Sequence, residues 1–139
     1  MTPATELRFD GRAVVVTGAG RGVGRSHALL LASRGANVVV ADYGAELDGT
    51  GSSNEPAARV VEEIEAAGGR AVACCASVAE EEGAASIVGA AIESFGRLDI
   101  VINNAGISDK HLFADLSLEQ FERMLAVHFL GTVLITKSA

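Results

Sequence analysis

Tryptophan is absent, there is one tyrosine, and aromatic residues make up only 4% of the 139 residues. The core must be filled by small aliphatics, and the abundance of Ala, Val and Gly favours helices lying close on a sheet over an all-β fold. Cysteine is nearly absent too: Cys74 and Cys75 are adjacent in an apolar run. Neighbours in a strand point to opposite faces, so a disulfide between them would be strained. We read them as buried, reduced thiols; without Cys-x-x-Cys spacing nothing indicates zinc, and no metal site is assigned. Positive charge is short: 11 Lys and Arg against 18 Asp and Glu leave a net charge of −7. That argues against nucleic acid as a partner, because such binding needs cations to displace counterions from phosphate. No apolar stretch reaches membrane length and no signal peptide is evident, so the sequence reads as a cytoplasmic protein without a membrane partner.

With 49% of residues hydrophobic, residues 1–139 can bury the core of one domain. The charge is uneven. Residues 1–40 hold five Arg and two acids, whereas 41–139 hold six basic and sixteen acidic residues, so cations gather around a glycine-rich stretch. Ala13 to Thr17 is a short β-branched run of the kind buried in a parallel sheet. Arg25 to Ser33 has helical apolar spacing and stops at Gly35, and Val38 to Ala41 is a second strand ending in Asp42. The polar stretch from Tyr43 to Asn54 reads as a surface loop and the most mobile segment. Asn54 is placed to cap a helix with Pro56 in its first turn, stopped by Gly68-Gly69 and followed by a strand over Ala71 to Cys75. A helix from near Val78, with Glu80, Glu81 and Glu82 in its first turn, runs to Gly96 and leads to a strand at Ile100 to Ile102. Ser117-x-x-Gln120 is a capping box for a last helix reaching the C-terminus. Its residues are apolar nearly all round, which predicts burial on nearly all sides. This βαβαβαβα series is an α/β, doubly wound parallel sheet of the Rossmann type.

Between the first strand and helix stands Thr17-Gly18-Ala19-Gly20-Arg21-Gly22-Val23-Gly24. Glycines let the chain turn sharply and let a diphosphate approach the backbone, while the open amides and positive dipole of the helix start face that anion. Asp42 lies 18 residues beyond Gly24, where an acid accepts hydrogen bonds from an adenosine ribose. A 2′-phosphate there would meet a like charge, which at ~4 Å and an effective dielectric of ~20 costs about 4 kcal/mol, so NAD is preferred to NADP. The alternative for Asp42 is a solvated acid opening a turn.

That glycine motif, with Asn103-Asn104-Ala105-Gly106 directly after the fourth strand, resembles the short-chain dehydrogenase/reductase family over essentially the whole chain. The resemblance implies an oxidoreductase acting on an alcohol/ketone pair with NAD, a small-molecule substrate and a homo-oligomer. It places Gly18, Arg21, Gly22, Val23 and Gly24 around the diphosphate and Asp42 on the ribose. Asn104, Ala105 and Gly106 fall on the nicotinamide side, Val127 in the cofactor wall, and Asn103 in support of the sheet. Where the family often has an acid for the adenine, this chain reads Ala76-Ser77-Val78; Ser77 and Val78 can substitute, or Ser77 can cap the next helix. His128 stands where the family usually has an Asn of its proton relay; it is either a catalytic residue or a core histidine bonded to a carbonyl. His128 and the long loop after Asp42 resemble the branch of the family handling 3-hydroxyacyl-CoA substrates. The family's catalytic Tyr-x-x-x-Lys and upstream Ser are not found: the one Tyr is Tyr43, and neither Lys110 nor Lys137 follows a Tyr at that offset. Since members run to about 250 residues, the resemblance implies an incomplete domain, truncated after its fourth strand and following helix and inactive alone. The open alternatives are a non-catalytic nucleotide-binding module and an inert fragment.

Overall fold

The computed structural model describes residues 7–139, which form a four-stranded parallel sheet with helices on both faces. The elements are β1 (Ala13–Thr17), α1 (Gly22–Ser33), β2 (Asn37–Ala41), α2 (Glu55–Ala66), β3 (Arg70–Cys74), α3 (Glu81–Phe95) and β4 (Ile100–Ile102). A 3-10 turn (Phe113–Asp115), α4 (Leu118–Leu125), a π-helical segment (Ala126–Leu130) and α5 (Gly131–Ser138) complete it. The doubly wound α/β architecture expected from the sequence is the one observed.

Strand side chains alternate between faces, and here both faces are covered. Val14, Val16, Val38 and Val40 pack with Ala28, Leu31, Val60 and Ile64 of α1 and α2. Val15 and Val39 pack with Ala84, Ile87, Ala91, Leu134 and Ile135 of α3 and α5. The middle of a strand covered twice favours apolar side chains, which is why the centres of β1 and β2 are runs of three valines. Each of these large aliphatic side chains contributes about 1.5–3 kcal/mol by leaving water.

The strand order is β3-β2-β1-β4. β2 and β3 add successively to one side of β1; the chain then returns through α3 and sets β4 on the other side, pairing Val14 with Ile100 and Val16 with Ile102. The connections leaving β1 and β4 therefore diverge, and a cleft opens at the carboxyl ends of the strands where the order reverses. At the opposite end Asp99 ties the two strands: Oδ2 accepts the Ala13 N–H at 2.8 Å, while Oδ1 accepts from Arg97 at 2.5 Å and Arg12 at 3.1 Å. These donors, Arg97 foremost, hold its carboxyl far below the usual carboxylate range.

Several local expectations are corrected. α1 begins at Gly22, β2 at Asn37 and β3 at Arg70, because the ladder reaches back to the pair Asn37–Arg70 and ends at Cys74. α3 starts at Glu81 with Glu80 as its N-cap, so only Glu81 and Glu82 lie in the first turn. Asn54 does not cap α2: its backbone is already helical and its side chain accepts nothing, while Ser53 Oγ accepts the Glu55 N–H at 3.2 Å. The capping box of Ser117 and Gln120 is present, but the helix it opens passes into the π segment before α5. That last helical stretch is not buried all round. Gly131, Leu134 and Ile135 pack inward, whereas Phe121, Leu125, Leu130 and Val133 are exposed and Phe129 is 69% exposed. Cys74 and Cys75 are free thiols as expected, but half-buried.

Candidate functional site

The cleft has a volume of about 400 Å³ and is walled by Gly18, Arg21 and Gly22 on one side and Asn104, Ala105 and Gly106 on the other. Ser77, Val78, Ala126 and Val127 line it further along, with Asp42 on its wall.

Its first wall is the amino end of α1. The N-cap, Arg21, makes no side-chain capping bond, and the first turn holds no acid. The leading amides of a helix have no acceptor within it, so those of Gly22, Val23 and Gly24 are left for a ligand, at the positive end of the helix dipole. Gly22 has φ +53°, and a Cβ built there would meet nothing within 4 Å, so the space above it is open. Gly24 has the opposite reason to be glycine. A Cβ there would fall 2.2 Å from Gly18 O and 2.4 Å from Asn104 Nδ2, so this residue lets the turn fold onto itself. Gly24 is buried beneath the turn and Val23 is 66% exposed; neither side chain position forms the cleft wall.

Asp42 holds two backbone amides, Oδ2 accepting from Gly20 at 2.7 Å and Oδ1 from Gly44 at 2.7 Å. The acid thereby ties the glycine turn to the loop after β2, and each oxygen keeps a further lone pair for a ligand. Beside it, burial and then the Asp42 charge push the Cys75 thiol up, which keeps it protonated.

A residue that the sequence reading missed organises the junction of the two walls. Thr17, 1% exposed at the end of β1, accepts the N–H groups of Asn104 and Ala105 at Oγ1, both at 3.0 Å. Asn104 Nδ2 returns bonds to Thr17 O at 2.9 Å and Gly18 O at 3.1 Å. Asn104 thus both lines the cleft and braces the sheet with its side chain. Asn103, expected to brace it, reaches only Thr136 Oγ1 at 3.4 Å. The available signal was a polar residue at the end of a strand whose other residues are alanine and valine.

Ser77 Oγ accepts the Ala79 N–H at 3.3 Å, holding a turn ahead of α3, so it is not that helix's cap. His128 lies in the π segment and does not line the cleft. Its Nε2 is 2.7 Å from Ile107 O and 3.1 Å from Ile107 N. A single ring nitrogen cannot donate to one and accept from the other at once, and either tautomer ties the ring to the Ile107 backbone. The ring also packs on Gly106, where a Cβ would meet Cε1 at 2.7 Å. His128 therefore shapes the loop after β4 from behind.

The loop from Tyr43 to Asn54, expected to be mobile, is closed by its own bonds. Ser53 N–H reaches Tyr43 O at 3.1 Å, Glu46 N–H reaches Thr50 O at 2.8 Å, and Asp48 Oδ1 accepts from the Thr50 amide and hydroxyl. Its ends meet in the manner of a compact Ω-loop.

Parallel strands wound on both faces around a glycine-turn cleft define a doubly wound α/β domain. The chain belongs to the short chain dehydrogenase family, a family of oxidoreductases, whose model matches residues 12–139. It is 45% identical over 136 residues to the mouse (Mus musculus) peroxisomal multifunctional enzyme type 2, covering 98% of this chain and 18% of that enzyme. The crystal structure of a short chain dehydrogenase from Mycobacterium avium superposes with a TM-score of 0.84 at 48% identity, covering 93% of this chain and 45% of the other. A 7α-hydroxysteroid dehydrogenase complexed with NADH and 7-oxo glycochenodeoxycholic acid matches with a TM-score of 0.82 at 31% identity, covering 94% and 48%. The chain thus spans less than half the length of these relatives. No helix among the described residues is long and apolar enough to cross a membrane.

Proposed function

We propose that this chain holds NAD(H) in the cleft between β1 and β4, as the cofactor-binding half of an oxidoreductase acting on an alcohol/ketone pair. The observation that carries the proposal is the uncapped, acid-free amino end of α1, with open space above Gly22 and the Asp42 carboxylate beside it. The relative complexed with NADH supports it. When bound, the dinucleotide supplies hydride chemistry that side chains lack.

In this reading the amides of Gly22 to Gly24 hold the diphosphate, with Arg21 nearby. Asp42 accepts from the ribose hydroxyls and disfavours a 2′-phosphate. Ser77, Val78 and Val127 enclose the adenosine side; Ala105 and Gly106 form the nicotinamide side, kept in place by Asn104 and, through Ile107, by His128. No Tyr-x-x-x-Lys occurs in the 139 residues, so the chain alone binds without turnover. A 3-hydroxyacyl-CoA is the substrate class we assign to the whole enzyme, from its likeness to the multifunctional enzyme. We place the protein in the cytoplasm, and imaging of a tagged chain tests this against the peroxisome. The exposed Phe121, Leu125 and Phe129 favour a homo-oligomer, which sedimentation velocity would deny if the chain ran as a monomer.

Titration with NAD tests the cofactor assignment. Saturable binding should weaken about tenfold or more in Asp42→Ala, the scale of a hydrogen bond to a charged group. The preference for NAD over NADP should narrow in the same variant because the repulsive charge is gone. Equal affinity in parent and variant removes Asp42 from the site.

A further inference from the structure

The loop after β2 does more than leave the strand: it crosses the cleft. Three of its carbonyls are taken by donors from separate parts of the site. Arg21 Nη1, in the glycine turn, donates to Ala45 O at 3.3 Å. Ser108 N–H, two residues beyond Gly106, donates to Leu47 O at 2.7 Å. Arg123 Nη1, one helical turn before Val127, donates to Asp48 O at 3.4 Å. Gly49 packs closely on the far wall, since a Cβ there would meet Ile107 Cδ1 at 2.9 Å and Arg123 Cδ at 3.2 Å. Ala45, Glu46, Leu47 and Gly49 are themselves part of the cleft lining.

A loop closed on itself moves as one piece. Its inner turn is held by the Glu46–Thr50 and Asp48–Thr50 bonds, and glycines with positive φ flank it at Gly44 and Gly51. All three bonds across the cleft end on backbone carbonyls of the loop, so releasing the loop exposes no buried charge. Arg123 also stays paired with Glu119 at 3.5 Å when the loop leaves. The interior is rigid, the latches are weak and polar, and the flanks are glycine; this is the construction of a gate.

We propose that residues 44–51 form a strap that closes the dinucleotide cleft, swings about Gly44 and Gly51 to admit the ligand, and is latched by Arg123 and the Ser108 amide. The inference rests on the reading that NAD(H) occupies this cleft. The latches are made between parts of the chain and not to a ligand, so in this proposal the strap closes over a filled cleft as over an empty one, and Arg123 governs how fast a ligand passes and not how tightly it is held. Arg123 is a positioning residue, and its signature is a change in both rates at constant affinity.

Stopped-flow fluorescence with NADH, on the whole chain and on Arg123→Ala, tests this. Entry and release should both accelerate about fivefold, the factor carried by one ordinary hydrogen bond, while Kd moves less than twofold. Gly49→Val, strained at φ +83° and pressing a side chain against Ile107 and Arg123, lifts the strap from the far wall and should accelerate both rates. Unchanged rates in both variants overturn the strap. A rise in Kd with an unchanged entry rate also overturns it, because Arg123 would then touch the dinucleotide directly. If the parent binds no NADH, the cofactor reading falls, and amide exchange in the ligand-free chain decides the strap separately. The Ser108 amide should then exchange at least fivefold faster in Arg123→Ala, and equal exchange refutes the latch.

Discussion

Gly22→Ala separates binding from folding because of where this glycine sits. A Cβ there meets nothing within 4 Å, so the substitution creates no clash inside the protein. The cost is confined to holding a non-glycine residue at φ +53°, about 1–2 kcal/mol, or a fall in Tm of roughly 4–8 °C at the ~4 °C per kcal/mol usual between the size classes that bracket this chain. The new methyl stands in the open space above the start of α1, where a diphosphate must come down onto the amides. NAD at a hundred times its Kd should stabilise the parent by about 2.7 kcal/mol, and in Gly22→Ala this increment should vanish. Gly24→Ala is the contrast: its Cβ would lie 2.2 Å from Gly18 O, so the turn must shift and the unliganded protein itself should melt far lower. Thermal unfolding followed by circular dichroism, with and without NAD, measures both quantities in one experiment. An NAD-dependent rise in Tm as large in Gly22→Ala as in the parent would refute the assignment of the helix start as the anion site.

Two further outcomes follow from bonds at the ends of β1. Thr17→Val keeps the shape of the strand but leaves the part-buried amides of Asn104 and Ala105 without their acceptor; chemical denaturation should show a loss of about 1 kcal/mol for each. Asp99 has its carboxyl pKa lowered by Arg97, the Ala13 amide and Arg12, so its stabilisation is present above the unfolded-state value of about 3.9 and fades as pH falls below it. Urea titrations should accordingly find Asp99→Asn weaker than the parent at pH 7 and the gap closing in acid; a gap independent of pH would show that the charge plays no part.

The strands were legible because a sheet covered on both faces requires runs of valine and isoleucine, and such runs admit few other readings. β1 and β4 fall where the sequence put them, while β2 and β3 each reach one residue further back, to Asn37 and Arg70, where backbone pairing continues after the apolar pattern ends. The glycine turn and Asp42 were legible as chemistry, since their spacing between strand and helix carries its own physical reason. Thr17 was not, because a β-branched residue at a strand end looks like one more packing residue until the two amides that converge on it are seen. That Asn104 rather than Asn103 braces β1 was hidden for a similar reason: adjacent residues point opposite ways, and which one faces β1 depends on a register that spacing does not encode. The π segment at Ala126–Leu130 has no sequence period of its own, and the apolar count of the last helix could not say that one of its faces has no packing partner among the described residues.

The order β3-β2-β1-β4 also imposes a schedule on synthesis. Strands one to three can pair as soon as the first 74 residues have left the ribosome, with β1 as an open border. The Asn104 and Ala105 amides that meet Thr17 are made 87 and 88 residues after it. Distant contacts of this kind close late. The nascent chain therefore carries a finished helix start and acid before it owns the opposite wall, and the pocket comes into being only when the fourth strand docks.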